Sequence, residues 1–267
     1  MLGRTGAYAG IEVVFGERRD RILFHGSKNM CQECIAETKL TSFHNKHARE
    51  KGLIANFAYI LGQDNMKLIV TTSPTFFVEE DKIITVLFEE GLDSLHLRKP
   101  ETPAMFSERL LTLIPQKYHK QIVTHEHFYL KEEFNLMGIH LNSRNQKEPH
   151  DYAGHVSCSC RSLEELKKKK HFYDYVFLKP IYDYDPGRSH FSKYTPEELR
   201  EAVKENVIDS NVMAFGGINL ENMLEIKDLG FGGAVVMEDL WHRFDVCNDK
   251  DYIALIDHFK LLKEMAD

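Results

Sequence analysis

From Met66 onward, short apolar runs alternate with segments of helical periodicity, and no other pattern in the 267 residues constrains the fold as tightly. Runs rich in Val, Ile, Leu and Phe read as buried strands. Apolar residues recurring at three and four read as helices laid against them. Strands are predicted at 67–72, 93–98, 120–124, 138–142, 154–159, 174–179, 211–216 and 232–237. Helices follow at 75–90, 103–114, 127–136, 161–170, 195–206, 219–229 and 250–264, with only a short turn after the fourth strand. This order predicts an α/β fold, a (β/α)8 TIM barrel at the small end of its size range. A doubly wound open sheet competes with it, but that fold wants a glycine-rich turn after the first strand. Thr71-Thr72-Ser73-Pro74 stands there instead.

The first 65 residues read differently. They mix glycine, charge and short apolar pieces with no sustained period, and carry nine Lys and Arg against seven Asp and Glu. The remainder carries 25 against 34. The expectation is a poorly structured extension over 1–65, a barrel over 66–267, and Met66 as the functional start. The extension holds Cys31-x-x-Cys34 and His44-x-x-His47, with nine residues between the pairs and two between the histidines. A zinc finger wants wider gaps, so unpaired residues in a loose arm are the preferred reading.

A net charge of −7 argues against a general nucleic-acid binder, and no apolar stretch is long enough for a membrane span. Five scattered cysteines make a reducing cytoplasm the expected compartment. A homo-oligomer stays open.

Chemistry in a barrel gathers where the strands end. The second strand ends in His96-Leu97-Arg98, and alternation turns His96 and Arg98 inward. A buried guanidinium needs an anionic partner, either a ligand phosphate or carboxylate, or an internal carboxylate. The third strand runs into His125-Glu126-His127, where Glu126 suits Mg2+ and His125 suits a substrate oxygen. Such a His-x-His pair also occurs in metal-dependent hydrolases, and it equally fits a polar loop opening a helix. Ser159 closes the fifth strand beside Ser162 and Glu165, a capping-box pair. Cys158 and Cys160 share one face, where packing is their expected role. Lys179 closes the sixth strand, and the long loop after it carries Arg188, His190 and Lys193, enough cations to cover an anion. Glycines pin the last two strands: Gly216 and Gly217 after the seventh, and Gly233 at the eighth. In such barrels these loops grip phosphate through backbone N–H groups.

In order and spacing, these segments resemble the thiamine phosphate synthase and thiazole tautomerase (TenI-like) superfamily over Met66 to Trp241. The matching pieces are Leu95-His-Leu-Arg98, Gly138-Ile-His-Leu141, Ser159-Cys-Arg-Ser-Leu-Glu-Glu165, Asp174-Tyr-Val-Phe-Leu-Lys-Pro-Ile-Tyr182 and Ala214-Phe-Gly-Gly-Ile218. The resemblance implies a transferase that couples a hydroxymethylpyrimidine diphosphate to a thiazole phosphate and releases pyrophosphate with Mg2+. Its partners would be those small phosphorylated heterocycles. It places Arg98 on the diphosphate arginine and His125-Glu126 on an Asn-Asp pair. Asn145 falls on the second metal aspartate and Ser159 on the strand-five serine, while Arg188 lies beside the loop-lysine position. Expected catalytic residues are therefore Arg98, Glu126 and Arg188. Expected metal ligands are Glu126 and Asn145. His96, His125, Ser159, Lys179, Gly216, Gly217 and Gly233 are expected to contact substrate or phosphate.

The sequence also departs from the pattern. Pro100 replaces a lysine, Arg161 replaces the tautomerase histidine, and Glu238 follows Met237 where a small residue would better admit phosphate. Three alternatives follow: a TenI-like tautomerase, a non-catalytic barrel that binds thiazole phosphate, and a Schiff-base lyase using Lys179.

Overall fold

The computed structural model describes residues 9–15, 18–24, 65–183, 191–192, 194–244 and 249–267. The chain divides into two compact units, Met1–Ala58 and Tyr59–Asp267. In the first, strands β1 (Ala9–Phe15) and β2 (Arg18–Phe24) pair antiparallel, with Glu12 opposite Arg21 and Ile11 opposite Ile22. Cys31, Cys34, His44 and His47 lie outside the described residues.

The second unit is a closed barrel of eight parallel strands. In chain order these are β3 (Lys67–Thr71), β4 (Ser94–Leu97), β5 (Ile122–Thr124), β6 (Gly138–Leu141), β7 (His155–Cys160), β8 (Tyr175–Leu178), β11 (Val212–Phe215) and β12 (Gly233–Val236). Pairing of β12 with β3, Gly233 opposite Lys67 and Val236 opposite Val70, closes the ring. A two-residue ribbon, β9 (Tyr182–Asp183) with β10 (Phe191–Ser192), forms the base of the long connection after β8. All eight predicted barrel strands are present, each within two residues of its expected ends.

Alternation along each strand builds two cores. Outward side chains, such as Leu68 and Val70 on β3 or Leu95 and Leu97 on β4, pack beneath the helices. Cys158 and Cys160 lie in this layer as free thiols. The barrel interior is filled by Ile69, Tyr175, Phe177, Met213, Phe215 and Val235. The outer helices are α1 (Glu80–Glu89), α2 (Ala104–Leu113), α3 (Leu130–Glu133), α4 (Leu163–Lys169), α5 (Pro196–Lys204), α6 (Met223–Asp228), α7 (Glu238–Trp241) and α8 (Asp249–Ala266).

Helix α1 begins five residues later than expected, because Glu79 adopts a left-handed φ of 68° that interrupts any earlier start. Helices α3 and α6 are also shorter than predicted. The short α7 was not anticipated; Trp241 Nε1 donates to the Thr71 carbonyl at 2.7 Å and fixes it against the end of β3. Thr195 forms a complete capping box with Glu198 at the start of α5. At α4 the box is partial: Ser162 accepts from the Glu165 amide, but the Glu165 carboxylate takes the Arg161 amide.

Candidate active site

Inward alternation carries polar residues up the barrel toward its C-terminal end, and three histidines meet there. His96, His125 and His140 are buried, and one ring nitrogen from each lies within 4.8 Å of the others. His96 Nδ1 is 2.8 Å from His125 Nε2, and His96 Nε2 is 2.6 Å from the Tyr175 hydroxyl. His140 bridges Ser157 at 2.9 Å and Ser159 at 2.8 Å. Burial above all, then neighbouring imidazoles and the Lys179 ammonium, holds all three pKa values well below the ordinary range, so the rings are uncharged near neutrality. The cluster is a poor metal site. His125 and His140 stack with centroids 4.2 Å apart and planes 20° apart, so a single ion cannot lie in both ring planes. Both ring nitrogens of His96 and His140 are already engaged. The histidines form an uncharged hydrogen-bonding floor.

Cations surround the mouth above that floor. Arg98 is half-buried at the end of β4, clamped by Thr72, whose Oγ1 accepts from the Arg98 amide and donates to its carbonyl, both at 3.0 Å. Burial and Arg144 lower the Arg98 pKa, while Glu126 and Glu238 oppose them. Lys179 follows β8, with Nζ 5.3 Å from the Phe215 ring centroid and no ion-pair partner among the described residues. Burial, then Arg98, Arg161 and Arg144, lowers its pKa to about 8. Such an amine is short of a counter-ion.

Two lobes open on either side of Lys179 and Arg161. A cavity of about 510 Å³ is bounded by Arg98, Lys179, Gly216, Gly217, Phe215 and Glu238, among others. A second, of about 300 Å³, is bounded by Asn142, Ser143, Ser159, Arg161, Lys169 and Lys179, among others. Gly216 and Gly217 have φ of 105° and 64°, and a Cβ on Gly217 would meet the Tyr182 Cβ at 2.7 Å. Only glycine lets this turn lie so close to the segment after β8. Asn222 Nδ2 donates to the Gly217 carbonyl at 2.9 Å and holds the turn open to the cavity.

The predicted residues separate into those at the mouth and those elsewhere. Arg98, Lys179, Gly216 and Gly217 line the larger lobe, and Ser159 the smaller. His96 and His125 lie below in the floor. Glu126 sits at the β5 end, taking Arg144 Nη2 at 2.6 Å on one oxygen and the Lys99 amide at 3.0 Å on the other. Asn145 gives its amide nitrogen to the His125 carbonyl at 2.8 Å, so its side-chain oxygen is not the atom used in that bond.

Gly233 is corrected. It begins β12 opposite Lys67, at the far end of the barrel from the mouth. A Cβ there would strike Met213 Sδ at 2.5 Å and the Lys67 carbonyl at 2.8 Å. It is a packing glycine that presents nothing to a ligand; Met237 and Glu238 hold the mouth position after β12. Arg188, His190 and Lys193 lie outside the described residues. Sequence reasoning gave no site role to Arg144 or Lys99. Arg144 could have been found from its place after β6, where a cation faces Glu126.

Comparison with known proteins accords with this geometry. A family model described as thiamine monophosphate synthase matches residues 67–240. The chain is 73% identical to a thiamine phosphate pyrophosphorylase of known crystal structure from Bacteroides thetaiotaomicron, over 76% of this chain and 98% of that one, with a TM-score of 0.71. A thiamine-phosphate synthase from Methanobrevibacter smithii is 25% identical over 171 residues, 60% of this chain and 80% of the relative. A Pyrococcus furiosus thiamine phosphate pyrophosphorylase, 20% identical with a TM-score of 0.54, shares the fold. With more than half its length matched by the family model, and its eight strands closed around a cation-ringed mouth, the chain belongs to the thiamine monophosphate synthase family.

Proposed function

We propose that this barrel is a thiamine phosphate synthase that joins a hydroxymethylpyrimidine diphosphate to a thiazole phosphate and releases pyrophosphate. The observation that carries the reading is Lys179 beside Arg98: two half-buried cations without ion-pair partners among the described residues, facing one cavity. A cluster of this kind stabilises negative charge that grows on a leaving group.

In the proposed reaction the bond between the pyrimidine methylene carbon and the diphosphate oxygen breaks. Both electrons leave with pyrophosphate, and the thiazole nitrogen supplies the new pair to the carbon. Arg98 and Lys179 hold the departing oxygens, with Arg161 at the border of the two lobes. The Phe215 ring lines the cavity where the cationic carbon forms, and the three imidazoles buried below it, being uncharged, add no positive charge to repel that carbon. The Gly216–Gly217 turn offers backbone to the thiazole phosphate. Arg188 is proposed from sequence as a further diphosphate cation.

The oxygen donors fit Mg2+ carried in on a diphosphate, since that ion commonly takes one or two carboxylates together with substrate phosphates. Glu126 and the Asn145 oxygen would hold it, with exposed Arg144 yielding its hold on Glu126. When bound, the metal neutralises charge on the leaving pyrophosphate. Among the described residues no helix is long and apolar enough to cross a membrane.

The test is turnover of the two phosphorylated precursors with Mg2+. Parent enzyme is expected to form thiamine phosphate, and Arg98→Ala to lose about a hundredfold in kcat, the scale of one lost charge-stabilising donor. Parent enzyme that binds both precursors and couples neither would refute the reading.

A further inference from the structure

One buried ion pair beneath the mouth is left unused by this mechanism. Glu80 at the start of α1 and Lys99 after β4 meet at 2.5 Å, and both side chains are 1% exposed. Lys99 Nζ also donates to the Thr75 carbonyl at 2.9 Å and lies 4.3 Å from the centre of the Phe76 ring. Its backbone N–H donates to Glu126 Oε2. Its neighbour Arg98 is held on both peptide faces by Thr72, from the same β3–α1 loop. One residue therefore joins three strand ends: the loop after β3 through its ammonium, β4 through its own backbone, and β5 through Glu126.

The pair is badly placed to stabilise the fold. Glu80 Oε2 is buried without a well-formed hydrogen bond. Burial, only partly offset by Lys99, raises the Glu80 pKa to about 7. Two charges taken this far from water pay heavily in desolvation. An apolar pair of similar volume in such a place is often as stable or more so. Something other than stability explains a pair this costly, and its contacts lead to the anion site.

We propose that the Glu80–Lys99 pair is a positioning device, setting Arg98 and Glu126 for the diphosphate of the reaction proposed above. It touches no substrate; it acts through the peptide that carries Arg98 and the amide that orients Glu126. Displacement of about 1 Å at such a site can cost a hundredfold in rate.

The test compares the full-length parent with Glu80→Leu/Lys99→Met, measuring thermal stability, affinity for inorganic pyrophosphate with Mg2+, and steady-state turnover. The double variant should melt no lower than the parent. Its pyrophosphate affinity and kcat should each fall about tenfold or more, while KM for the thiazole phosphate stays near the parent value. Parent-like affinity and kcat in a folded double variant would overturn the proposal. Should that variant not fold, the single changes decide. Glu80→Gln keeps the contact to Lys99 and should turn over like the parent, whereas Glu80→Ala should not; equal turnover in all three overturns the idea. A parent that binds pyrophosphate without coupling the two precursors refutes the transferase reading alone, because the affinities still report on positioning.

Discussion

Lys179 is the cavity-lining residue whose charge the medium controls most directly. Its pKa of about 8 lies well below that of a free lysine, and only the ammonium form attracts an anion. Pyrophosphate affinity is therefore expected to fall as pH rises through about 8. The bound anion favours the proton, so the fall shifts to higher pH at saturation. Calorimetric titration at pH 6.5 and 9 checks this, and Lys179→Met should abolish the step while keeping the weak high-pH affinity. Glu238 lines the same cavity with the opposite sign. Glu238→Ser should lower KM for the thiazole phosphate roughly fivefold, about 1 kcal/mol of removed repulsion, as initial rates would show. Arg98 and Lys179 were legible in the sequence because a charge on the inward phase of an apolar strand has few other uses. Gly233 was misread, since a glycine that admits a ligand and one that admits a neighbouring side chain look identical in one dimension. The Glu80–Lys99 pair was not legible at all: its members are 19 residues apart and share no local pattern.

Among the elements, the turn after β11 carries the sharpest structural demand. Gly217→Ala forces a side chain into a left-handed φ and against Tyr182. It should cost about 2 kcal/mol or more in urea denaturation and weaken thiazole phosphate binding. At the start of α5, Thr195→Ala removes one arm of the capping box and should cost about 1 kcal/mol without altering kcat. The barrel strands were readable to within two residues because burial on both faces leaves near-continuous apolar runs. Helix starts were less so. The left-handed Glu79 delays α1, and a left-handed His127, with φ 52°, precedes the short α3. Neither residue type announces such a backbone. The β1–β2 hairpin went unseen because Arg18, Arg19, Asp20 and Arg21 erase apolar alternation along one of its strands.

At the scale of the molecule, the barrel unit contains every described residue that the proposed chemistry uses. Met66 N–H donates to the Ala266 carbonyl at 3.0 Å, so the second unit ties its own beginning to the last helix. A protein comprising residues 66–267 is expected to fold cooperatively and retain turnover within about twofold of the full chain, a span smaller than 1 kcal/mol; circular dichroism with kinetics on the shortened chain checks this. The interior beneath the histidines is packed with Ile69, Tyr175, Phe177, Met213 and Val235, so the lower end admits no traffic. Both reactants and both products must then share one doorway. Since the two heterocycles leave joined as one molecule, the order of exit is a matter of plumbing between that molecule and pyrophosphate: whichever lies nearer the doorway escapes before its companion can.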